Sequence, residues 1–343
     1  MNRSKKKIIT FNQIPVADGS AGGGNNWSNQ FIKYLKKRKY QINYKLSKET
    51  SCIFINNSKS FFFEKDLRYF LKKKNYYFNY KDLAKFKKKY PKIPIIHRIN
   101  DTDAHRKSNF IDSNMMKISA ISDFSIFVSN WIKEYYFKKG IIVKKFKIIR
   151  NIANPKIFNL NKKTFWKKNT IFKIVTHHWS NNLAKGFHRY QALDSIIEKK
   201  KIKNINFFII GNTPKNITWK ICKIINPISG KKLATKLKSF HGYIAGSRYE
   251  ASAFHIAEAL QCGLPIIYFK DGGSAKEQIN NRYGLMSNDK EILNNISILK
   301  KKYFLFVKNL KKYNYTIVKK NKMMLDSYLK VISKYATNDN IYL

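Results

Sequence analysis

Glu250 and Glu258 stand with seven residues between them in the segment RYEASAFHIAEALQCGLPIIYFKDGGSAKEQI, residues 248–279. Glu250 follows a short apolar run that reads as a strand, and Glu258 falls within the helix predicted from about Ser252 to Cys262. A carboxylate in the loop ahead of a helix can accept from a sugar hydroxyl. One two turns further on can accept from both hydroxyls of a ribose. The amides between them, at Ser252, Ala253 and Phe254, open the helix. Such N–H groups have no intrahelical acceptor and sit at the positive end of the helix dipole, which suits a diphosphate or a sugar oxygen. The competing explanation is two solvated charges on a helix surface.

Three other stretches carry residues of the right types. HHWSNNLAKG, residues 177–186, follows a strand and precedes a helix, and Lys185-Gly186 closes it. Taken alone, Lys185 is one of 60 lysines and reads as a surface charge. The run from Gly19 to Asn26 contains Gly22, Gly23 and Gly24 ahead of a helix expected from near Asn26. Glycines let backbone approach a ligand, and the helix start supplies amides. The run lacks the G-x-G-x-x-G dinucleotide pattern and the Lys-Ser/Thr of a P-loop, so a flexible turn explains it equally well. In IIHRINDTD, residues 95–103, His97 and Asp101 fall at a strand end expected to face a ligand, with Arg98 between them. A satisfied structural histidine is the alternative there.

These residues need a scaffold that puts strand ends side by side. Apolar strand-like runs recur at Lys7–Asn12, Gln41–Leu46, Cys52–Asn56, Pro94–Ile99, Ser125–Ser129 and Phe146–Ile149, with helical patterns between several of them. The second half repeats this at Ile171–Thr176, Ile205–Ile210, Gly242–Ala245 and Leu264–Phe269. Alternation of strand and helix implies parallel sheets covered on both faces. The expected architecture is α/β: two Rossmann-like domains, 1–160 and 161–320, whose sheets face each other across a cleft. A C-terminal helix and tail, 321–343, is expected to pack back on the first domain. Ligands in such sheets bind outside the carboxyl ends of strands.

The 248–279 segment resembles the family-4 (group 1) retaining glycosyltransferases of the GT-B fold. Their signature is Glu, seven residues, Glu, then Ala-Leu or Ala-Met, Cys-Gly and a Pro before a strand. Here it stands as Glu250, Glu258-Ala259-Leu260, Cys262-Gly263 and Pro265, followed by Gly272-Gly273 and Glu277. The chain departs from the family just after Glu250, where Ala251-Ser252-Ala253 replaces the usual Pro-Phe-Gly. The resemblance is firm from about 120 to 285 and looser before that. It implies a nucleotide-sugar donor, transfer to a glycan or lipid-linked acceptor with retention, and no metal or other cofactor. It makes Glu250, Lys185 and His97 the candidate catalytic residues. In the family an Arg and the Lys-Gly neutralise the donor diphosphate; Lys185 matches the second, and His177, His178 or Ser180 occupies the space of the first. Gly23 and Gly24 correspond to the loop facing the donor phosphates, and Gly211, Asn212 and Thr213 to the loop near the nucleobase. With His178, Ser180, Ser252, Ala253, Phe254 and Glu258 they complete the candidate donor site. Family habit points to hexosyl transfer in polysaccharide or lipopolysaccharide assembly.

Composition bounds the partners. The chain has 343 residues, a formal charge of +49 and nine arginines against 60 lysines. So large a charge suggests a polyanion partner, yet base and phosphate forks favour Arg. A Lys, Ile, Asn, Phe and Tyr excess fits an AT-rich coding bias, so no nucleic-acid partner is expected. Attraction to an anionic membrane surface remains, because charge acts whatever its origin. Three scattered cysteines, Cys52, Cys222 and Cys262, show no disulfide or metal spacing. The expectation is a cytoplasmic enzyme without signal peptide or membrane span, peripheral on the inner membrane face at most. The competing readings are an epimerase or phosphorylase of the same fold, a catalytically dead carbohydrate binder, and a non-enzymatic basic polyanion-binding protein.

Overall fold

The computed structural model describes residues 7–16, 22–56 and 78–336. The chain forms two compact units, one of Met1–Arg150 with Met323–Leu343, the other of Asn151–Lys322. The first contains β1 (Ile8–Phe11), α1 (Gly22–Lys36), β2 (Gln41–Asn43), β3 (Cys52–Ile55), α2 (Tyr80–Lys89) and β4 (Ile95–Ile99). It continues with α3 (Asp103–Arg106), α4 (Ile111–Ile121), β5 (Phe124–Phe127), α5 (Asn130–Lys138) and β6 (Phe146–Ile148). Its sheet runs β2-β1-β3-β4-β5-β6, parallel throughout. β3 and β4 are buried along their whole length, as continuous apolar runs in a doubly covered sheet should be.

The second unit contains β7 (Phe172–His178), a 3-10 turn (Leu183–Lys185), α6 (Phe187–Lys199), β8 (Ile205–Gly211), β9 (Lys223–Ile225) and α7 (Gly230–Leu237). After these come β10 (Gly242–Ala245), α8 (Phe254–Gln261), β11 (Ile266–Phe269), α9 (Ala275–Tyr283) and β12 (Gly284–Ser287). The helices α10 (Ile292–Lys301), α11 (Tyr303–Tyr315) and α12 (Ile317–Tyr335) close the chain. The sheet order is β12-β11-β10-β7-β8-β9, again parallel. β7 passes through α6 to β8 on one side, whereas β10 passes through α8 to β11 on the other. The strand order therefore reverses between β7 and β10, and a crevice must open outside their carboxyl ends.

The last helix returns to the first unit, as expected. Tyr328 is fully buried there, its ring 4.7 Å from Trp27 and its hydroxyl accepting from Arg98 Nε at 3.0 Å. Three details differ from the sequence reading. α1 begins at Gly22, so Gly23 and Gly24 lie in its first turn and not in a loop; Gly19 to Ala21 lie outside the described residues. The inward stripe of Trp27, Phe31 and Leu35 orders the helix, and three glycines do not prevent it. The junction falls at Arg150–Asn151, because the next residues belong to the second core. Phe158 packs in it, and Gln261 Nε2 donates to the carbonyls of Ala153 and Phe158 at 3.1 Å each. Finally, the edge strands β9 and β12 had no counterpart in the sequence reading.

Candidate active site

β7 delivers Thr176, His177 and His178 to the crevice end of the second unit, all three buried. The chain then turns. Ser180 Oγ accepts from Asn182 N at 3.1 Å, and Asn182 Oδ1 accepts from Ala184 N at 2.8 Å, which caps the 3-10 turn ending at Lys185. Gly186 has φ +86°, and a Cβ there would meet the Gly246 carbonyl oxygen at 2.2 Å. Only glycine lets this turn lie against the exit of β10. The Arg248 amide donates to Ala184 O at 2.8 Å and ties the two loops together. As a result Lys185 Nζ sits 2.7 Å from Glu250 Oε1.

Glu250 is held from behind. Tyr249 takes φ +55°, and its amide donates to Asp271 O at 2.8 Å. The Ser274 amide donates to Glu250 O at 2.8 Å. A Cβ on Gly273, at φ +66°, would meet Glu250 O at 2.4 Å, so the Gly-Gly after β11 is needed for backbone to pass this close. α8 starts beside this loop with Ala253 at its N-cap and no side-chain cap. Gln278, in the amide orientation that satisfies both its ends, pairs with both backbone groups of Ala253. The amides that follow, from Phe254, lie at the positive helix end.

Each glutamate has its own histidine. Glu258, inside α8 and 7% exposed, has Oε2 2.9 Å from His177 Nε2. His255 Nε2 lies 3.5 Å from Glu250 Oε1, and its Nδ1 is 3.0 Å from the Tyr243 hydroxyl. His178 Nε2 meets Thr176 Oγ1 at 2.9 Å and the Tyr190 hydroxyl at 2.8 Å. Burial drives the His178 pKa well below its ordinary value, and the neighbouring His255 and Lys185 push the same way. Burial also lowers His255, against an upward pull from Glu250. Burial thus favours the neutral imidazoles of His178 and His255, which stand near Lys185 and Glu250. The other ring nitrogen of His177, Nδ1, is buried without a hydrogen-bond partner. Among the described residues no group of three or more His, Cys, Asp or Glu is arranged to hold a metal ion.

Of the residues expected from sequence, Lys185, Glu250, Glu258, His178 and the start of α8 come together here. Gly211, at φ +128°, ends β8 beside His178; a Cβ on it would stand 1.7 Å from His178 O. Asn212 Nδ2 donates to Trp179 O at 2.7 Å, and Ser252 O accepts from Asn151 Nδ2 at 3.0 Å. His97, expected beside the ligand, stands apart from this group. It lies in mid-β4, fully buried, with Nδ1 3.0 Å from Ser119 Oγ, and burial lowers its pKa to about 3. It is a core histidine of the first unit and reaches no ligand-accessible surface. Gly23 and Gly24 also belong to the first unit, as helix residues. The sequence reading missed His255, Thr176, Tyr190 and Tyr243, whose polar groups are invisible until the sheet brings them together. It also missed Arg189, and here a signal existed: any arginine is conspicuous in a chain with only nine.

The sequence matches no protein-family model and no curated protein. Solved structures are similar to it over nearly the whole chain. Sucrose-phosphate synthase from Thermosynechococcus elongatus aligns with TM-score 0.66 and 14% identity, covering 96% of this chain and 100% of that one. A glycosyltransferase from Rickettsia africae gives 0.63 and 15%, covering 97% and 99%. Anabaena HepE in complex with UDP and glucose gives 0.64 and 12%, covering 94% and 99%. The chain therefore has the two-unit α/β fold of these proteins, the GT-B fold.

Proposed function

We propose that this protein is a glycosyltransferase that moves a hexosyl group from a nucleotide sugar to a glycan or lipid-linked acceptor with retention of configuration. The observation that carries the reading is the meeting of Lys185, Glu250 and Glu258 around the start of α8, at the strand-order reversal of the second unit. Glu258 accepts from the ribose diol, with His177 fixing its carboxylate. The α8 amides and Lys185 face the diphosphate. Glu250 accepts from a hydroxyl of the donor sugar. UDP is the favoured carrier, since HepE was solved with UDP and glucose.

Transfer then needs little from the protein beyond placement and charge. The acceptor oxygen bonds to the anomeric carbon on the face from which the phosphate oxygen departs. The acceptor proton passes to that departing oxygen. Lys185 and the helix start stabilise the negative charge growing on the diphosphate. No metal has a part in this scheme. The acceptor belongs to cell-surface glycan assembly in this reading, and the protein works in the cytoplasm, held at most peripherally on the membrane. No helix among the described residues is long and apolar enough to cross a membrane.

The test is thermal unfolding with UDP-, GDP- and ADP-sugars, without added metal. One donor should raise the midpoint, since a ligand at 100 times its Kd adds about 2.7 kcal/mol to the folded state. Glu258→Ala should lose that shift, and proton NMR of the product should show the donor's anomeric configuration. If no nucleotide sugar shifts the midpoint, the reading fails. Interconversion of the donor without an acceptor would instead mark an epimerase.

A further inference from the structure

Arg189 occupies the first turn of α6, four residues after Lys185, and is 7% exposed. A cation at this end of a helix opposes the helix dipole. Its contacts account for the position. Nε is 2.6 Å from Asp289 Oδ1, Nη1 donates to Gly246 O at 2.8 Å, and Nη2 is 2.9 and 3.1 Å from the two Asp271 carboxylate oxygens. The guanidinium carbon lies 4.0 Å from the centre of the Phe269 ring. One planar fork thus joins the loops leaving β10, β11 and β12, and stacks on β11 itself. Lysine, a point charge, cannot make these three directed contacts and the stack together.

The loops it joins are those that place Glu250. Asp271 O takes the Tyr249 amide, Asp271 Oδ2 takes Arg248 Nε at 2.7 Å, and Ala184 O, next to Lys185, takes the Arg248 amide. We infer that Arg189 is a positioning residue that sets the spacing between Lys185 and Glu250. The consequence for catalysis rests on the proposed glycosyl transfer; the structural part does not.

The experiment uses the full chain with Arg189→Lys. Hydrogen exchange by mass spectrometry reads the Arg248, Tyr249 and Ser274 amides, which tie these loops to one another and to the Lys185 turn. They should exchange roughly tenfold faster in the variant, while α8 and β7 stay unchanged. Turnover with the stabilising nucleotide sugar should lose kcat by about tenfold or more, with UDP affinity held within about threefold. Lys185→Met, as a comparison, should weaken UDP itself. Unchanged exchange at the three amides overturns the inference, and so does a variant that keeps wild-type kcat. A loss confined to UDP affinity overturns it too, because Arg189 would then act on the diphosphate and not on Glu250. Absence of any turnover by the wild type would count against the transfer reading, while the exchange result still decides the role of Arg189.

Discussion

Lys185 Nζ and Glu250 Oε1 are 2.7 Å apart, although 65 residues separate them in the chain. The pair is mostly withdrawn from water, at 15% and 11% side-chain exposure. Removing one member of such a pair leaves a poorly solvated charge, whereas removing both is milder. Lys185→Met should therefore lower stability by roughly 1–3 kcal/mol. The double variant Lys185→Met/Glu250→Gln should recover part of that loss. Urea midpoints of the four proteins check this, and strict additivity would show that the pair is not coupled. Glu250→Gln alone should spare UDP binding and abolish transfer.

The His177–Glu258 contact makes a different demand. If Glu258 receives the ribose hydroxyls and His177 only orients it, the wild type should prefer UDP over 2′,3′-dideoxy-UDP. A lost hydrogen bond to a charged acceptor is worth about 1.5–3 kcal/mol, or roughly tenfold or more in Kd. Glu258→Gln should flatten that preference. His177→Phe, which fills the space without orienting the carboxylate, should reduce it partly. Calorimetry with the two nucleotides distinguishes the cases, and a preference that survives Glu258→Gln would move the ribose elsewhere.

How far the sequence discloses this site depends on whether a residue acts with its neighbours in the chain or across the sheet. Glu250, Glu258 and Pro265 form a local pattern, so their spacing is readable, as is Lys185-Gly186 at a strand–turn–helix junction. The long apolar strands are readable for the same reason. β9 and β12, of three and four residues, are not. Each forms by pairing with one neighbour at a sheet edge, as do β2 and β6, whose longer flanking runs are readable. His97 misled because a histidine near a strand end looks alike whether it faces ligand or core; Ser119, 22 residues away, decides the matter. Arg189 and Asp271 find each other across 82 residues, which no local pattern encodes.

Gly211 offers a sharp test of the strand ends. It pairs with His178 across β7 and β8 at φ +128°, where an added Cβ would strike the His178 carbonyl at 1.7 Å. Backbone cannot yield this much without parting the strands. Gly211→Ala should cost about 3 kcal/mol or more, from a forbidden backbone conformation and a backbone clash together. Gly140, also at positive φ but with nothing within 4 Å of a Cβ, is the control. Its alanine variant should lose only the conformational part, on the order of 1 kcal/mol. Thermal midpoints read both, and equal losses would show that the clash is relieved.

Four histidines withdrawn from water contribute to the response to acid. Burial lowers His97 to about 3 and His241 to about 4, and it lowers His178 and His255 as well. In the unfolded chain each titrates near 6.5. Below that value the unfolded state takes up protons that the folded state refuses, so stability falls as pH drops from about 6.5 toward the folded values. Above about 7 neither state binds these protons, and the four contribute no slope. One proton of difference corresponds to about 1.4 kcal/mol per pH unit. Urea midpoints at pH 7.5, 6 and 5 should therefore fall steeply, well before most carboxylates protonate. His97→Gln keeps a polar partner for Ser119 and removes one titrating group. It should cut the slope between pH 6 and 5 by about one proton's worth while leaving UDP binding intact. An unchanged slope would mean that His97 already takes up its proton in the folded state, against its buried position in β4.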